Sequence, residues 1–321
     1  MPRRYFGGYI SSSKIPTEPF LTQNLSGIFS LTEVEAMTAS GNWPTYIYIP
    51  PGEIEYTTPG TYSFIPPEDY YVSVICVGSG GGGRTFGYGA SGGGGGGGLG
   101  YKNNIALYAS QPYTVVVGAV PSGGNGGDSY FISPTLVMGG GGLAAPLHTG
   151  GPYVGDGGGN GGNSSPAPLI GGGGAGGYAG NGGNAGSAAQ LSSGAGGGGG
   201  PAVAPRQFGG GGGGVGIYKG QGAKSGLAGA TVPAPSPGLP AFQGGGGSDG
   251  EGLAQTTNGG KYGGGAGGNT RAPTNTPVPG TTGAVRILWG GRNIRSFPNT
   301  LSEKIAMPGT GTLSIQGSPP A

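Results

Sequence analysis

Short runs of apolar residues recur along the chain and predict β-strands. The run at 70–77, YYVSVICV, is rich in β-branched and aromatic residues, and the run at 60–65 is closed by two prolines. Further runs of this kind lie at 101–107, 112–117, 129–138 and 283–289, with a weaker one at 312–316. Their spacing predicts a mainly β fold, an antiparallel sandwich at 51–142 to which a strand returns within 283–321.

One helix signal precedes the strands. Ser30 and Glu33 have capping-box spacing, and Phe29 and Val34 occupy the positions of a hydrophobic staple. A short amphipathic helix with an apolar face must dock on something else to be stable. We therefore expect residues 1–50 to be a docking arm. Its candidate docking residues are Phe29, Ser30, Leu31, Glu33, Val34, Met37 and Trp43.

Glycine changes this picture, because the 321-residue chain has 86 Gly and 29 Pro. Such a bias is typical of collagen or of disordered, low-complexity sequence. Collagen is excluded, since it requires glycine at every third position. Here the glycines form blocks at 92–98, 171–174, 196–200, 209–214 and 244–247.

The glycine-rich stretch also differs from a disordered linker. Residues 78–283 contain only four carboxylates, and aromatic residues punctuate the glycine runs. Glycine chains in the polyproline II conformation have three residues per turn and no Cβ atoms, so several can pair their backbones side by side. We therefore expect a packed array of polyglycine II helices at 143–282. Connecting loops are predicted at 143–154, 163–170, 201–208, 230–243 and 269–282.

Charge and cysteine content narrow the classes further. The net charge is +2 without a basic stripe, so no nucleic-acid partner is expected. Cys76 lies in an apolar run and is interpreted as a buried core residue. The sequence contains no run of eighteen apolar residues and no signal-peptide core, so we expect a soluble protein made in a cytoplasm, without membrane insertion.

Several motifs resemble catalytic ones but lack the required context. Gly78, Gly80 and Gly83 have dinucleotide-fingerprint spacing, yet no helix pattern follows them and no acidic residue lies about 20 positions further on. Ser91 and Ser248 fit a nucleophile-elbow pattern without the strand and helix that it needs. With a single histidine and dispersed acids, no triad or metal shell is recognisable. We predict no enzymatic activity and no cofactor.

Side chains between the glycine blocks remain as candidate contacts. A large ring beside a glycine block can cap the array or project from it, and capping is the interpretation favoured for any single ring. Rigidly held aromatic residues nevertheless give binding surface at small entropic cost. The candidate receptor contacts are Leu147, His148, Tyr153, Arg206, Phe208 and Phe242.

Two protein families resemble this sequence. The phrases GTYSFIPPEDYYVSVICVGSGGGG and GGDSYFISPTLVMGGGG, within 60–142, resemble glycine-rich modules of phage tail-fibre and other virion proteins. They are also similar to the glycine-rich, tumour-necrosis-factor-like module of anaplastic-lymphoma-kinase-type receptors. That resemblance implies a jelly-roll sandwich with inserted polyglycine II helices, to which the strand GAVRILWG returns. The N-terminal phrase SGIFSLTEVEAMTASGNWP is similar to a segment of predicted marine-phage structural proteins.

These resemblances imply a bacteriophage virion protein. The first expectation is a tail-fibre or tail-tip adhesin whose loops contact a bacterial surface protein or glycan. The alternative is a capsid-decorating, neck or other structural protein without receptor contact. A polysaccharide-degrading enzyme ranks third, because it would need clustered carboxylates. Other virion proteins are the expected partners of residues 1–50, and a homotrimer is one candidate assembly.

Overall fold

A computed structural model describes most of the strand-forming part of the chain and some of its glycine-rich segments. The described residues are 9–11, 28–30, 35–36, 39, 50–83, 92–120, 123–144, 146–164, 171–185, 211–218, 259–267, 277–290 and 295–298. Their regular secondary structure is mainly β, with two five-stranded antiparallel sheets, one two-stranded sheet and almost no helix. The mainly β prediction is therefore confirmed.

The first sheet combines strands that lie far apart in sequence. Its spatial order is β11 (Gly157–Gly159), β6 (Leu99–Leu107), β5 (Tyr70–Val77), β12 (Ala284–Trp289) and β3 (Gly52–Tyr56). The strand β12 inserts between β5 and β3, pairing Ile287 with Val74 on one side and with Ile54 on the other. The late strand β12 thus lies inside this sheet, between two strands from the 51–142 region.

The second sheet covers one face of the first. Its order is β10 (Tyr153–Val154), β9 (Met138–Gly139), β8 (Ser129–Phe131), β7 (Tyr113–Val117) and β4 (Gly60–Phe64). The single run predicted at 129–138 forms two strands, because a turn at residues 132–137 separates β8 from β9. The weak strand predicted at 312–316 lies outside the described residues.

Alternating side chains of β5 divide between two cores. Val72, Val74 and Cys76 face the second sheet and pack with Val115 and Phe131, all of them buried. Ile75 and Val77 point to the opposite face, as period-two geometry requires. The continuous apolar run of β5 is explained by this burial on both sides.

The second core joins the first sheet to the glycine-rich segments. Ile75 and Leu288 on the sheet belong to the same buried cluster as Tyr178, Val215 and Ile217 from those segments. The hydroxyl of Tyr178, which is 1% exposed, donates to the carbonyl of Gly216 at 2.9 Å. The few large side chains between glycine blocks therefore attach the glycine-rich part to the sandwich.

Several strands continue directly into glycine segments. The last β5–β6 pair is Val77 with Leu99, and the next contact is a 2.9 Å hydrogen bond from the Gly78 N–H to the Gly98 carbonyl. Residues 140–143 extend β9, and residues 277–283 lead into β12. The glycine segments thus lie at one end of the sandwich, where neighbouring strands deliver them side by side.

Hydrogen bonds between the glycine segments repeat every three residues. In the segment 92–98, the N–H groups of Gly94 and Gly97 donate to Ala266 and Gly263, at 2.8 and 2.7 Å. The N–H groups of Gly95 and Gly98 donate to the carbonyls of Leu143 and Gly140 in a second neighbouring segment. The N–H group of Gly96 donates to the carbonyl of Gly162 in a third. The carbonyls of residues 92–98 accept from three others: Gly78 and Gly81, Gly173 and Gly176, and Gly151. Six neighbouring segments therefore surround residues 92–98.

The spacing between the segments leaves no room for side chains. A Cβ atom placed on Gly96 would lie 2.0 Å from the carbonyl oxygen of Gly174, and one on Gly94 would lie 2.0 Å from that of Gly81. Contacts this short with backbone atoms can only be relieved by moving whole segments. Glycine is therefore required here for close approach between chains.

The prediction that the docking helix begins at Ser30 is wrong. Phe29 and Ser30, assigned as staple and cap, lie in the strand β2 (Ile28–Ser30), which pairs antiparallel with β1 (Tyr9–Ser11). Strand pairing has overridden a locally favourable capping pattern. Helical backbone within the predicted span occurs at Glu35, Ala36 and Ala39. The other assigned residues, which lie outside the described residues, are Leu31, Glu33, Val34, Met37 and Trp43.

Candidate functional site

A tight turn at one end of the glycine segments carries two of the predicted contact residues. The N–H groups of Leu147 and His148 donate to the carbonyl of Ala144, at 3.1 and 3.4 Å. The His148 backbone has a φ of 58°, and its Nδ1 lies 3.1 Å from both the Gly93 carbonyl and the Ser164 hydroxyl. His148 thus holds the turn to the segments, while Leu147 projects with 60% of its surface exposed.

The other predicted contacts lie elsewhere. Tyr153 is half-buried in β10, at the edge of the second sheet. Arg206, Phe208 and Phe242 lie outside the described residues, so their role stays a prediction. Only the Leu147 turn, among the predicted contact loops, is described with a side chain that projects from the glycine segments.

Asparagine side chains form a second feature, which the sequence analysis did not identify. The Oδ1 atom of Asn181 accepts from the N–H of Asn160 at 2.9 Å, and that of Asn184 accepts from the N–H of Asn163 at 2.8 Å. Asn163 in turn accepts from the N–H of Gly150 at 2.9 Å. Each side-chain carbonyl takes the place of the backbone carbonyl that a further neighbouring segment would supply. We call the three accepting residues, Asn163, Asn181 and Asn184, the edge asparagines.

A repeated motif could have revealed the edge asparagines. The sequence G-N-G-G-N occurs at 159–163 and at 180–184, and the variant GNGGD occurs at 124–128. Three-residue spacing places both polar side chains on one face of a helix with three residues per turn. In the variant, Asn125 accepts from Ala144 and Asp128 accepts from Gly141, at 2.9 and 2.8 Å. An aspartate therefore performs the same capping as an asparagine.

The edge asparagines line an open groove of about 510 Å³. This volume lies in the range of about 300–1,000 Å³ that is typical of small-ligand sites. Its walls come from three adjacent glycine segments, and the described residues that form them include no Asp, Glu, Lys, Arg or His. The lining residues are Thr149, Gly150, Pro152, Asn160, Gly161, Asn163, Asn181, Gly182, Gly183 and Asn184.

A buried charge cluster fixes one glycine-rich segment to the first sheet. Arg286 on β12 is 0% exposed, and it donates to the Glu53 carboxylate at 2.8 Å and to the Ile217 carbonyl at 2.9 Å. Its guanidinium lies over the ring of Tyr218, whose hydroxyl donates to Glu55 at 2.5 Å. Burial and the hydrogen bond to Glu55 raise the pKa of Tyr218 to about 12. This cluster stabilises the attachment of residues 211–218.

The described residues offer little conventional catalytic chemistry. Burial raises the pKa of the Cys76 thiol well above its usual value, which keeps it protonated and unreactive. Residues 78–83 continue β5 as an extended segment hydrogen-bonded to its neighbours, so the dinucleotide turn already rejected from the sequence is not formed. Ser91 and Ser248 lie outside the described residues.

In the part of the chain that the structure describes, no group of three or more His, Cys, Asp or Glu side chains could hold a metal ion. No helix in that part is long and apolar enough to cross a membrane.

The sequence matches one protein family. The family is described as a glycine-rich domain, and the match covers residues 57–290, more than two thirds of the 321-residue chain. A comparison with curated proteins gives no match. The matched range includes β4 to β12 and all the glycine segments described above.

Proposed function

The chain belongs to the glycine-rich domain family, and we propose that it is a non-enzymatic structural protein of a bacteriophage particle that displays contact loops on a glycine scaffold. The observation that carries the proposal is the three-residue repeat of hydrogen bonds around residues 92–98. A backbone fixed in this way from six sides forms a rigid base. Loops at its end can then vary without disturbing it.

The proposal includes the conformation of the glycine segments. A helix with three residues per turn directs every third N–H to the same neighbour, as Gly94 and Gly97 do toward residues 263–266. Six neighbours around one segment are what hexagonal packing of such helices requires. These features support polyglycine II helices. The two five-stranded antiparallel sheets, with β12 inserted from far along the chain, support a jelly-roll-like sandwich beside them.

The location on a phage particle is supported by sequence resemblance. The phrases within 60–142 resemble modules of tail-fibre proteins, and the phrase at 26–44 is similar to a segment of phage structural proteins. Residues 1–50 would join the protein to other virion components. The exposed Leu147 beside the anchored His148 supports the adhesin role, since a projecting apolar side chain on a fixed turn is suited to contact.

Labelling of purified particles tests this proposal directly. An antibody against the full chain should decorate tails or fibre tips in electron micrographs. Added free protein should compete with particles for adsorption to host cells. Decoration of the capsid or neck without competition would favour the alternative of a non-receptor-binding virion protein. Absence of the chain from the particles would overturn both roles.

A further inference from the structure

We infer that the groove lined by the edge asparagines is a binding site for a neutral glycan. The binding chemistry of the groove does not depend on the display role proposed above. That role supplies only the biological source of the glycan, a host-cell surface polysaccharide. The groove lies along the glycine segments next to β10 and β11, since Pro152 directly precedes β10 and Asn160 directly follows β11. It is built from residues 149–152, 160–163 and 181–184.

The unused hydrogen-bonding groups of the groove indicate its ligand. Asn163 and Asn181 direct their Oδ1 atoms to backbone N–H groups, so the amide Nδ2 of each remains as a donor on the solvent side. Within the described part of the chain, neither Nδ2 donates to a protein acceptor, and the side chain of Asn160 makes no hydrogen bond. All three residues are exposed. Together they offer several donors and one free carbonyl acceptor.

Sugar hydroxyls match this set, because each can donate and accept a hydrogen bond. Among the described residues that line the groove, none is ionisable, so an anionic or cationic ligand would gain no ion pair with them. The exposed ring of Pro152 adds a small apolar surface for the C–H face of a sugar ring. The chemistry therefore favours a neutral, polyhydroxylated ligand.

A further glycine segment is a poorer occupant of the same groove. Such a segment would bind by accepting from backbone N–H groups at the edge. The N–H groups of Gly150, Asn160 and Asn163 are already bonded to the edge asparagines. Displacing those side chains would exchange one hydrogen bond for another, with no net gain.

Two substitutions separate ligand binding from capping. Asn181→Asp keeps the Oδ1 acceptor for Asn160 but removes the Nδ2 donors, and Asp128 shows that a carboxylate caps a backbone N–H in the same motif. Asn160→Ala removes an amide that caps nothing. Asn125→Asp is the matched control, because Asn125 is an exposed cap outside the groove.

The experiment uses the full isotope-labelled chain and a panel of neutral oligosaccharides, with maltotetraose, mannotetraose and a galacto-oligosaccharide as probes and a sialic-acid oligomer as acidic counterpart. We expect a neutral probe to shift the backbone amide signals of Gly150, Gly161 and Gly182. The double variant Asn160→Ala/Asn181→Asp should weaken binding at least about tenfold, because it removes hydrogen-bonding groups from both positions. Asn125→Asp should bind like the wild type.

Three results would overturn the glycan site. The first is that no neutral probe shifts the groove signals. The second is that the acidic oligomer binds more tightly than the neutral probes. The third is that the groove signals broaden with rising protein concentration in the absence of sugar, which would indicate self-association. The failure of this site and the failure of the proposed function are distinguishable. Antibody labelling can place the chain on particles whether or not the groove binds sugar.

Discussion

The guanidinium of Arg286 lies 2.8 Å from the carboxylate of Glu53, and it is fully buried between the first sheet and a glycine-rich segment. A buried charge is tolerated only when it is well paired. Here the same side chain also bonds the Ile217 carbonyl. The pair therefore connects the strands β12 and β3 to residues 211–218.

Arg286→Met should lower the free energy of unfolding by about 3 kcal/mol or more, because breaking a buried, hydrogen-bonded pair typically costs about 3–5 kcal/mol. Lys102→Met is the control, since Lys102 pairs with Asp156 at 2.8 Å in a partly exposed position. Its loss should be below about 1 kcal/mol. Urea denaturation measures both, and similar losses in the two variants would contradict the anchoring role.

Gly96→Ala should destabilise the glycine segments, because the new Cβ atom would lie 2.0 Å from the Gly174 carbonyl oxygen. Overpacking of this kind typically costs about 1–3 kcal/mol and sometimes more. Ala179→Ser adds one atom at an exposed position and should leave the melting temperature within about two degrees of the wild type. If both variants melt alike, the close packing around residues 92–98 is refuted.

Asn163→Ala should speed hydrogen exchange at the Gly150 amide, because its N–H would lose the acceptor at 2.9 Å. A hydrogen bond of about 1 kcal/mol corresponds to about a fivefold change in rate. Asn163→Asp keeps the acceptor and should preserve slow exchange. Equal exchange in the alanine and aspartate variants would show that the side chain does not cap this amide.

The raised pKa of Tyr218, about 12, predicts a stability change at high pH. The folded state holds this proton more tightly than the unfolded state, whose tyrosine has the ordinary value of about 10. The contribution is complete below pH 10 and is lost as the pH rises through about 12. Tyr218→Phe should therefore show a smaller loss of stability over that interval.

The neighbour Glu55 provides a second test of the same group. Its hydrogen bond and negative charge help burial to raise the pKa of Tyr218. Glu55→Gln should shift the phenolate titration, followed by ultraviolet difference spectra against Tyr218→Phe, to lower pH. An unchanged titration would exclude Glu55 as a cause of the raised pKa.

Leu147→Ala should weaken adsorption of particles to host cells if the turn contacts the receptor, while stability stays nearly intact because the side chain is 60% exposed. Phe208→Ala and Phe242→Ala are predicted to weaken adsorption about tenfold or more, as aromatic anchors often contribute about 2 kcal/mol. Adsorption rate and melting temperature are measured on each variant. Unchanged adsorption with lost stability would identify the residue as a structural cap.

The strands were readable from sequence because their apolar runs are bounded by turn residues. The prediction for β5 matches residue for residue, and β12 differs by one residue at its start. Short strands such as β10 and β11 were missed, since two or three residues, all of them glycine in β11, are too few to show an alternating pattern. The helix start at Phe29 and Ser30 was predicted wrongly because a capping pattern is local. The pairing of these residues with β1 depends on residues about twenty positions away.

The candidate site was predicted only in part. Leu147 and His148 were recognised as a loop between glycine runs, but the contact of His148 with Gly93 depends on segments brought together by the fold. The motif GNGGN could have predicted the edge asparagines. Its three-residue spacing would have had to be considered for polar side chains as well as for backbone groups. The Arg286–Glu53 pair joins residues more than two hundred positions apart, and no local pattern predicts it.

The edge asparagines also affect whether another chain can add to the layer of glycine segments. A row of unpaired backbone N–H groups at the border of a hydrogen-bonded layer invites another chain to add itself, as exposed sheet edges do. The side-chain carbonyls of Asn163, Asn181 and Asn184 occupy that border from within the molecule. We expect these caps to hinder the lateral addition of another chain along this flank, so that a surface rich in backbone groups can stay exposed without growing into filaments.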